Sequence, residues 1–226
     1  MTGELKEMVS RSGKIIVITG PSGAGKDAVI EELDTLNIND YGITRVVTHA
    51  TRGPRLDKKS GLQEVHGIHY YFCTEEDLTR MHQNGELAEE PVVTGTSRKG
   101  TSKRELLKVL EGQHKLWRID LTLAEKIAEG RYFHEQFDQQ TADILYKSTM
   151  VVYIDVDQKT LDKRREGREG EANTPEFIER DIQERRIVSR AAEIFKFRLK
   201  NPEGELQKTA QILFDSVKEF LTTEIE

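Results

Sequence analysis

Apolar positions in this chain follow two rhythms. The first is the short unbroken run: Ile15, Ile16, Val17 and Ile18 follow one another with no polar residue between them and lead into Thr19-Gly20. A run of that length without alternation predicts a strand covered on both faces, as in a parallel sheet. The second rhythm is the spaced stripe of Val29, Ile30, Leu33 and Leu36, which predicts a helix over about residues 25–36. Further short apolar segments predict strands at about 43–48, 87–93, 115–119 and 150–155. Helix starts lie between them, with Thr74 ahead of an acidic turn and Ser102 followed three residues on by Glu105, a capping box. Alternating strands and helices predict an α/β fold with a central, mostly parallel sheet flanked by helices. After Thr160 the segments 161–168, 174–197 and 206–223 read as helices with almost no strand between them, so the C-terminal third is predicted to pack helices over the sheet or form a lid. Thr174-Pro175 is a good helix start, a capping side chain followed by proline in the first turn.

Composition narrows the class. The 34 Lys and Arg against 40 Asp and Glu leave a net charge of −6, which argues against a general nucleic-acid binder. Surface scaling for 25.9 kDa lets about 70% of the unfolded surface be buried, enough for a sizeable core. The length suits one domain carrying a small lid or insertions. Cys73 is the single cysteine, so no internal disulfide forms, and a reducing compartment follows. No apolar run approaches the ~18 residues of a membrane span, and the first residues lack an apolar signal core. The chain therefore reads as cytoplasmic. The six histidines show no metal spacing.

Chemistry begins where the buried strand ends. Gly20, Pro21, Ser22, Gly23, Ala24, Gly25, Lys26 and Asp27 follow the strand and open a helix, the context in which a P-loop works. Glycines let successive N–H groups converge on phosphate, the helix start adds its dipole, and Lys26 adds a full charge for the β- and γ-phosphates of a nucleoside triphosphate. Asp27 stands where a P-loop usually has Ser or Thr, whose hydroxyl holds Mg²⁺. A carboxylate is also a hard oxygen ligand, so Asp27 is a candidate Mg²⁺ contact, direct or through water. The alternative is that Asp27 only favours the first helical turn.

Three more segments follow in order: Thr48-His49-Ala50-Thr51-Arg52-Gly53-Pro54-Arg55, Gly67-Ile68-His69-Tyr70-Tyr71-Phe72 and Gly85-Glu86-Leu87-Ala88-Glu89. With the P-loop, the succession GPSGAGK, TRGPR, GxxYxF and GELxE resembles the guanylate kinase family from about Ile15 to the C-terminal helix. The resemblance implies a P-loop NTPase fold with a small acceptor-binding subdomain at about 44–102 and a helical lid at about 161–190, within a domain spanning 13–226. Residues 1–12 form a polar N-terminal extension. It further implies Mg²⁺-dependent phosphoryl transfer from ATP to GMP, with dGMP as a second acceptor. Arg52, Arg55 and Tyr70 match the residues that hold the acceptor phosphate, which suits the planar fork of arginine. Glu89 matches the guanine-reading acid and Thr101 its hydroxyl partner, while Thr48 and Asp120 match further acceptor contacts. Without the resemblance, the arginines also read as a solvated basic loop and Glu89 as an exposed acid.

In the lid segment Arg164 and Arg168 fit best the arginines that reach over the phosphates, and Arg180 lies near the register of a further one, with Arg185 and Arg186 following. Asn201 matches an asparagine near the donor nucleotide. The catalytic set implied is Lys26, Arg52, Arg164, Arg168 and Arg180. The chain departs from the family pattern at several places. Lys99 replaces a phosphate-binding tyrosine, Arg118 replaces an acid, the loop after Arg55 is long, and about 125–148 is an insertion. Two alternatives remain open, a P-loop kinase of another phosphorylated acceptor such as ribose 1,5-bisphosphate, and a catalytically silent binding module. Partners are small-molecule nucleotides, with no nucleic acid or membrane, for a monomer or homodimer.

Overall fold

The structure, a computed structural model, describes residues 3–56, 61–94, 96–166 and 175–223. The chain opens with α1 (Gly3–Arg11), β1 (Ile15–Thr19), α2 (Lys26–Thr35) and β2 (Ile43–Arg45). It continues through β3 (His49–Ala50), β4 (Tyr71–Phe72), α3 (Glu75–Gln83), β5 (Val92–Thr94), β6 (Ser97–Gly100) and α4 (Lys103–Leu107). Next come β7 (His114–Arg118), α5 (Leu121–Ala128), α6 (Arg131–Gln136), α7 (Gln139–Lys147), β8 (Thr149–Asp155) and α8 (Gln158–Glu166). The described chain closes with α9 (Pro175–Ser189), α10 (Ala191–Ile194), β9 (Phe197–Lys200) and α11 (Leu206–Thr222). Residues 1–44 with 109–226 form one compact unit, and residues 45–108 form another.

In the larger unit a five-stranded sheet has the order β2-β7-β1-β8-β9. β1 runs parallel to β7 and to β8, and β8 runs parallel to β9. The apolar run explains this central place, because Ile15, Ile16, Val17 and Ile18 are all fully buried. Each such side chain contributes ~1.5–3 kcal/mol relative to exposure. One core gathers Ile16, Ile18, Val29, Ile30 and Leu33 with Leu213 and Val217 of α11. Trp117 meets Tyr132 at 6.0 Å between ring centroids. That contact gives the insertion a structural role, since α6 and α7 carry the buried Tyr132, Phe133, Ile144 and Leu145.

The N-terminal extension carries α1, and its Val9 is fully buried. Three expectations need correction. The strand expected at 43–48 stops at Arg45. The strand expected at 87–93 is reduced to Val92–Thr94, with Leu87 in an isolated bridge to Ser102, because Pro91 has no N–H to give to a ladder. The helix expected over 174–197 ends earlier, and Phe197–Lys200 is a strand paired with β8. Its alternation of Phe197 and Leu199 with exposed Arg198 and Lys200 offers too few apolar positions to stand out beside a helical stripe. In the smaller unit, the sheet order is β4-β3-β6-β5, with β3 parallel to β4 and antiparallel to β6. No helix among the described residues is long and apolar enough to cross a membrane.

Candidate active site

In the larger unit β1 delivers the chain into the glycine-rich loop, and α2 begins at Lys26. Gly25 has φ +87°, and a Cβ there would lie 2.8 Å from Asn201 Nδ2, so only glycine lets the loop close against that side chain. Asn201 Nδ2 in turn donates to Ala24 O at 2.9 Å. Arg164 Nη1 donates to Gly23 O at 3.3 Å and Ala24 O at 3.4 Å, which brings α8 onto the loop. A cavity of about 290 Å³ opens beside them, lined in part by Gly23, Gly25, Arg164, Asn201 and Leu206. Lys26 Nζ donates to Gly20 O at 2.6 Å and Pro21 O at 3.0 Å, folding back over the loop that it serves.

One acid outside the motifs touches this unit's glycine-rich loop, and a second pairs with an arginine of α9. Ser22 N–H donates to Glu184 Oε2 at 3.2 Å, so this loop amide is directed at an anionic oxygen. Glu184 is buried, and its place in a charge-rich helix hides it from sequence inspection. Glu125, buried in α5, pairs with Arg186, which engages one of the arginines that follow the lid register. Asp27 pairs with Arg118, Nε to Oδ1 at 2.8 Å. Asp120 Oδ1 accepts from Leu123 N–H at 3.0 Å as the N-cap of α5. Arg168 lies outside the described residues, and Arg180 lies in α9.

The smaller unit carries a second constellation. The Arg52 guanidinium lies over the Tyr70 ring, 4.9 Å from its centroid. Lys99 Nζ is 4.5 Å from the same centroid and donates to Tyr70 Oη at 3.0 Å. Glu64, which the motifs missed, organises the loop. Its carboxylate takes both arms of Arg52, with Nη2 to Oε1 at 2.8 Å, and accepts from Arg55 N–H at 2.9 Å. The Arg52 and Glu64 side chains are 12% and 14% exposed. The guanidinium holds the Glu64 carboxyl down at about 2, so it stays ionised at neutral pH. Its sequence signal is weak, an acid in a loop rich in basic and turn-forming residues. Arg55 is exposed, with Nη2 3.4 Å from Thr96 Oγ1. Beside this cradle, Thr101 is fully buried and its hydroxyl donates to Glu89 Oε1 at 2.7 Å. Thr48 is half-buried, and its carbonyl accepts from Tyr71 N–H at 2.9 Å.

A parallel sheet whose central strand runs into a glycine-rich loop, lysine and helix defines a P-loop NTPase fold, built to hold nucleotide phosphates. The family model described as guanylate kinase matches residues 12–132. The guanylate kinase of Streptomyces kasugaensis is 30% identical over 193 residues, covering 85% of this chain and 82% of that protein. The guanylate kinase of Malacoplasma penetrans is 24% identical over 216 residues, covering 94% of this chain and 98% of its own. Among solved structures, the guanylate kinase of Anaplasma phagocytophilum shares the fold with a TM-score of 0.54 at 17% identity, over 95% of this chain and 89% of that one. The chain belongs to the guanylate kinase family, and its class of chemistry is that of a nucleoside monophosphate kinase.

Proposed function

We propose that the protein transfers the γ-phosphoryl group of ATP to GMP, and to dGMP, giving ADP and the nucleoside diphosphate. The observation that carries the guanine reading is the Thr101 hydroxyl set 2.7 Å from the Glu89 carboxylate. Guanine offers two adjacent N–H donor groups, which suit the carboxylate, and a carbonyl acceptor, to which the Thr101 hydroxyl can turn once those N–H groups satisfy Glu89. Adenine would turn a ring acceptor toward Glu89 and leave the acid unpaired, a mismatch that discriminates strongly. Arg52, Arg55, Tyr70 and Lys99 hold the acceptor phosphate, with Thr48 and Asp120 as further acceptor contacts.

On the donor side Gly20, Pro21, Ser22, Gly23, Ala24 and Gly25 supply the backbone cradle, Lys26 the charge and Asn201 the support of the loop. Phosphoryl transfer spreads negative charge over the moving group, so its catalysts are positioned cations. Lys26, Arg52 and Arg164 fill that role, together with Arg168 and Arg180 of the lid region. The attacking group is an ionised phosphate oxygen and needs no general base. When bound, Mg²⁺ supplies further neutralisation of the β- and γ-phosphates. Asp27 is the side chain that would hold it, directly or through water. No group of three or more His, Cys, Asp or Glu that could hold a metal ion occurs among the described residues. One carboxylate completed by the nucleotide's own oxygens is a usual Mg²⁺ arrangement, so the residues fit the ion.

The test is ADP release from ATP and Mg²⁺ with GMP, dGMP, AMP, CMP, UMP and ribose 1,5-bisphosphate offered separately. Turnover is expected with GMP and dGMP alone. Glu89→Gln is expected to lower kcat/KM for GMP by about 100-fold while the KM for ATP moves less than about threefold, because only a charge-assisted base contact is lost. Turnover with the ribose compound alone would discard the guanine reading, and silence with every acceptor would leave a binding module.

A further inference from the structure

Two departures from the usual P-loop pattern touch each other. The helix-opening position that normally carries a hydroxyl holds Asp27, and the strand-end position at which the family pattern has an acid holds Arg118. They are 91 positions apart, yet Arg118 Nε meets Asp27 Oδ1 at 2.8 Å and Nη2 meets Oδ2 at 3.2 Å, a parallel two-bond pairing. The sheet register explains the meeting. Arg118 on β7 is the Cα partner of Ile18 on β1, two residues before the P-loop begins at Gly20. Both side chains thus stand at the carboxyl end of the central strands, the edge at which α/β sheets bind their ligands.

Stability does not account for the pair. The side chains are 51% and 69% exposed, and ion pairs so open to water contribute little. Charge at the phosphate site does change. A hydroxyl with an acid would contribute one negative charge, whereas Asp27 with Arg118 contributes none. The site has exchanged a cation-attracting acid for a cation of its own, and Asp27 satisfies that cation while no phosphate competes for it.

We propose that Arg118 is a donor-phosphate ligand, held in reserve by Asp27, and that nucleotide entry exchanges the partners. The guanidinium passes to a phosphate oxygen, and the Asp27 carboxylate is left for the cation that accompanies the nucleotide. Charge stays paired before and after the exchange, and no covalent bond changes. The proposal rests on the donor site assigned to the P-loop above. Its consequence is an unusual tolerance of metal-free ATP, since Arg118 does part of the neutralising that Mg²⁺ otherwise does.

Calorimetric titration of the whole chain with ATP, once in excess Mg²⁺ and once in chelator, tests it without relying on turnover. Arg118→Ala is expected to weaken metal-free ATP by about tenfold or more and MgATP by less than about threefold, the loss of one charge-assisted contact. Arg118→Lys is expected to recover part of the metal-free affinity, because it keeps the charge and loses the fork. Asp27→Asn is expected to tighten metal-free ATP several-fold and to shrink the gain from Mg²⁺. Equal weakening of both forms in Arg118→Ala, the mark of a merely structural role, overturns the proposal, as does no weakening of either. If the parent binds neither form, or binds both as well after Lys26→Ala, the donor site itself is wrong. Lys26-dependent binding that ignores Arg118 overturns only the exchange.

Discussion

Glu64 shows how one side chain sets the cradle proposed for the acceptor. It clamps Arg52 with two bonds and also closes the loop, since its own N–H donates to Arg55 O at 2.8 Å while Arg55 N–H returns a bond to its carboxylate. Arg52 is thereby held over Tyr70. Pre-organisation of this kind lowers the ordering cost of binding. Glu64→Gln should therefore destabilise the protein by ~2 kcal/mol at pH 7, the scale of a hydrogen bond to a charged group. The sign of its pH dependence follows from the depressed carboxyl. Its stabilisation is complete above the ordinary glutamate value and is lost as the pH falls toward about 2. Urea unfolding of the parent and variant at pH 7, 5 and 3 should show the gap narrowing only at the acid end. An equal gap at pH 7 and 3 would show that the ion pair contributes nothing.

Among the elements, β7 has a titratable anchor at its first residue. Lys14 N–H donates to His114 Nδ1 at 3.0 Å, so the ring accepts in its neutral form. Burial, and then the nearby Lys14 charge, push the His114 value below that of a free histidine. The unfolded chain consequently takes up the proton first, and stability falls as the pH drops through the ordinary histidine range. Replacing His114 with Gln, whose side-chain oxygen is also an acceptor, should flatten part of that slope between pH 7 and 5. Denaturant midpoints at the two pH values measure it, and an unchanged slope would assign the dependence to other groups, His49 among them, which burial also shifts downward. Elements whose pattern is dense are readable from the sequence: the four-residue apolar run makes β1, and the Thr74 cap with its acidic turn makes α3. β9 and α1 are not. A four-residue edge strand with two apolar positions, and a polar helix whose Val9 is buried, acquire their identity from neighbours far along the chain.

For the whole molecule, fold and chemistry separate at Lys26. Its ammonium bonds the loop carbonyls of Gly20 and Pro21, and its side chain is half-buried, so truncation empties no core position. Lys26→Ala should keep a melting temperature within about 3 °C of the parent while phosphoryl transfer falls by about 10³-fold or more. Thermal unfolding beside the ADP assay checks both halves, and a large drop in melting temperature with activity retained would refute the assignment.

Residues 20–27 are legible as a phosphate loop in the sequence alone, because such a loop is contiguous and its requirements for glycine, lysine and a helix start are local. The α/β class is legible for the same reason, through the periods of successive short segments. The pairs that give the sites their character are not. Arg118 with Asp27 and Glu184 with Ser22 join positions 91 and 162 residues apart. Those meetings depend on strand order, register and the closing of loops. A hydrophobic period reports which face of an element is buried, but not which distant element covers it. The motifs thus name the groups, and tertiary packing chooses their partners, because hydrogen-bonded pairing acts over about 3 Å and the chain must fold before such distances exist.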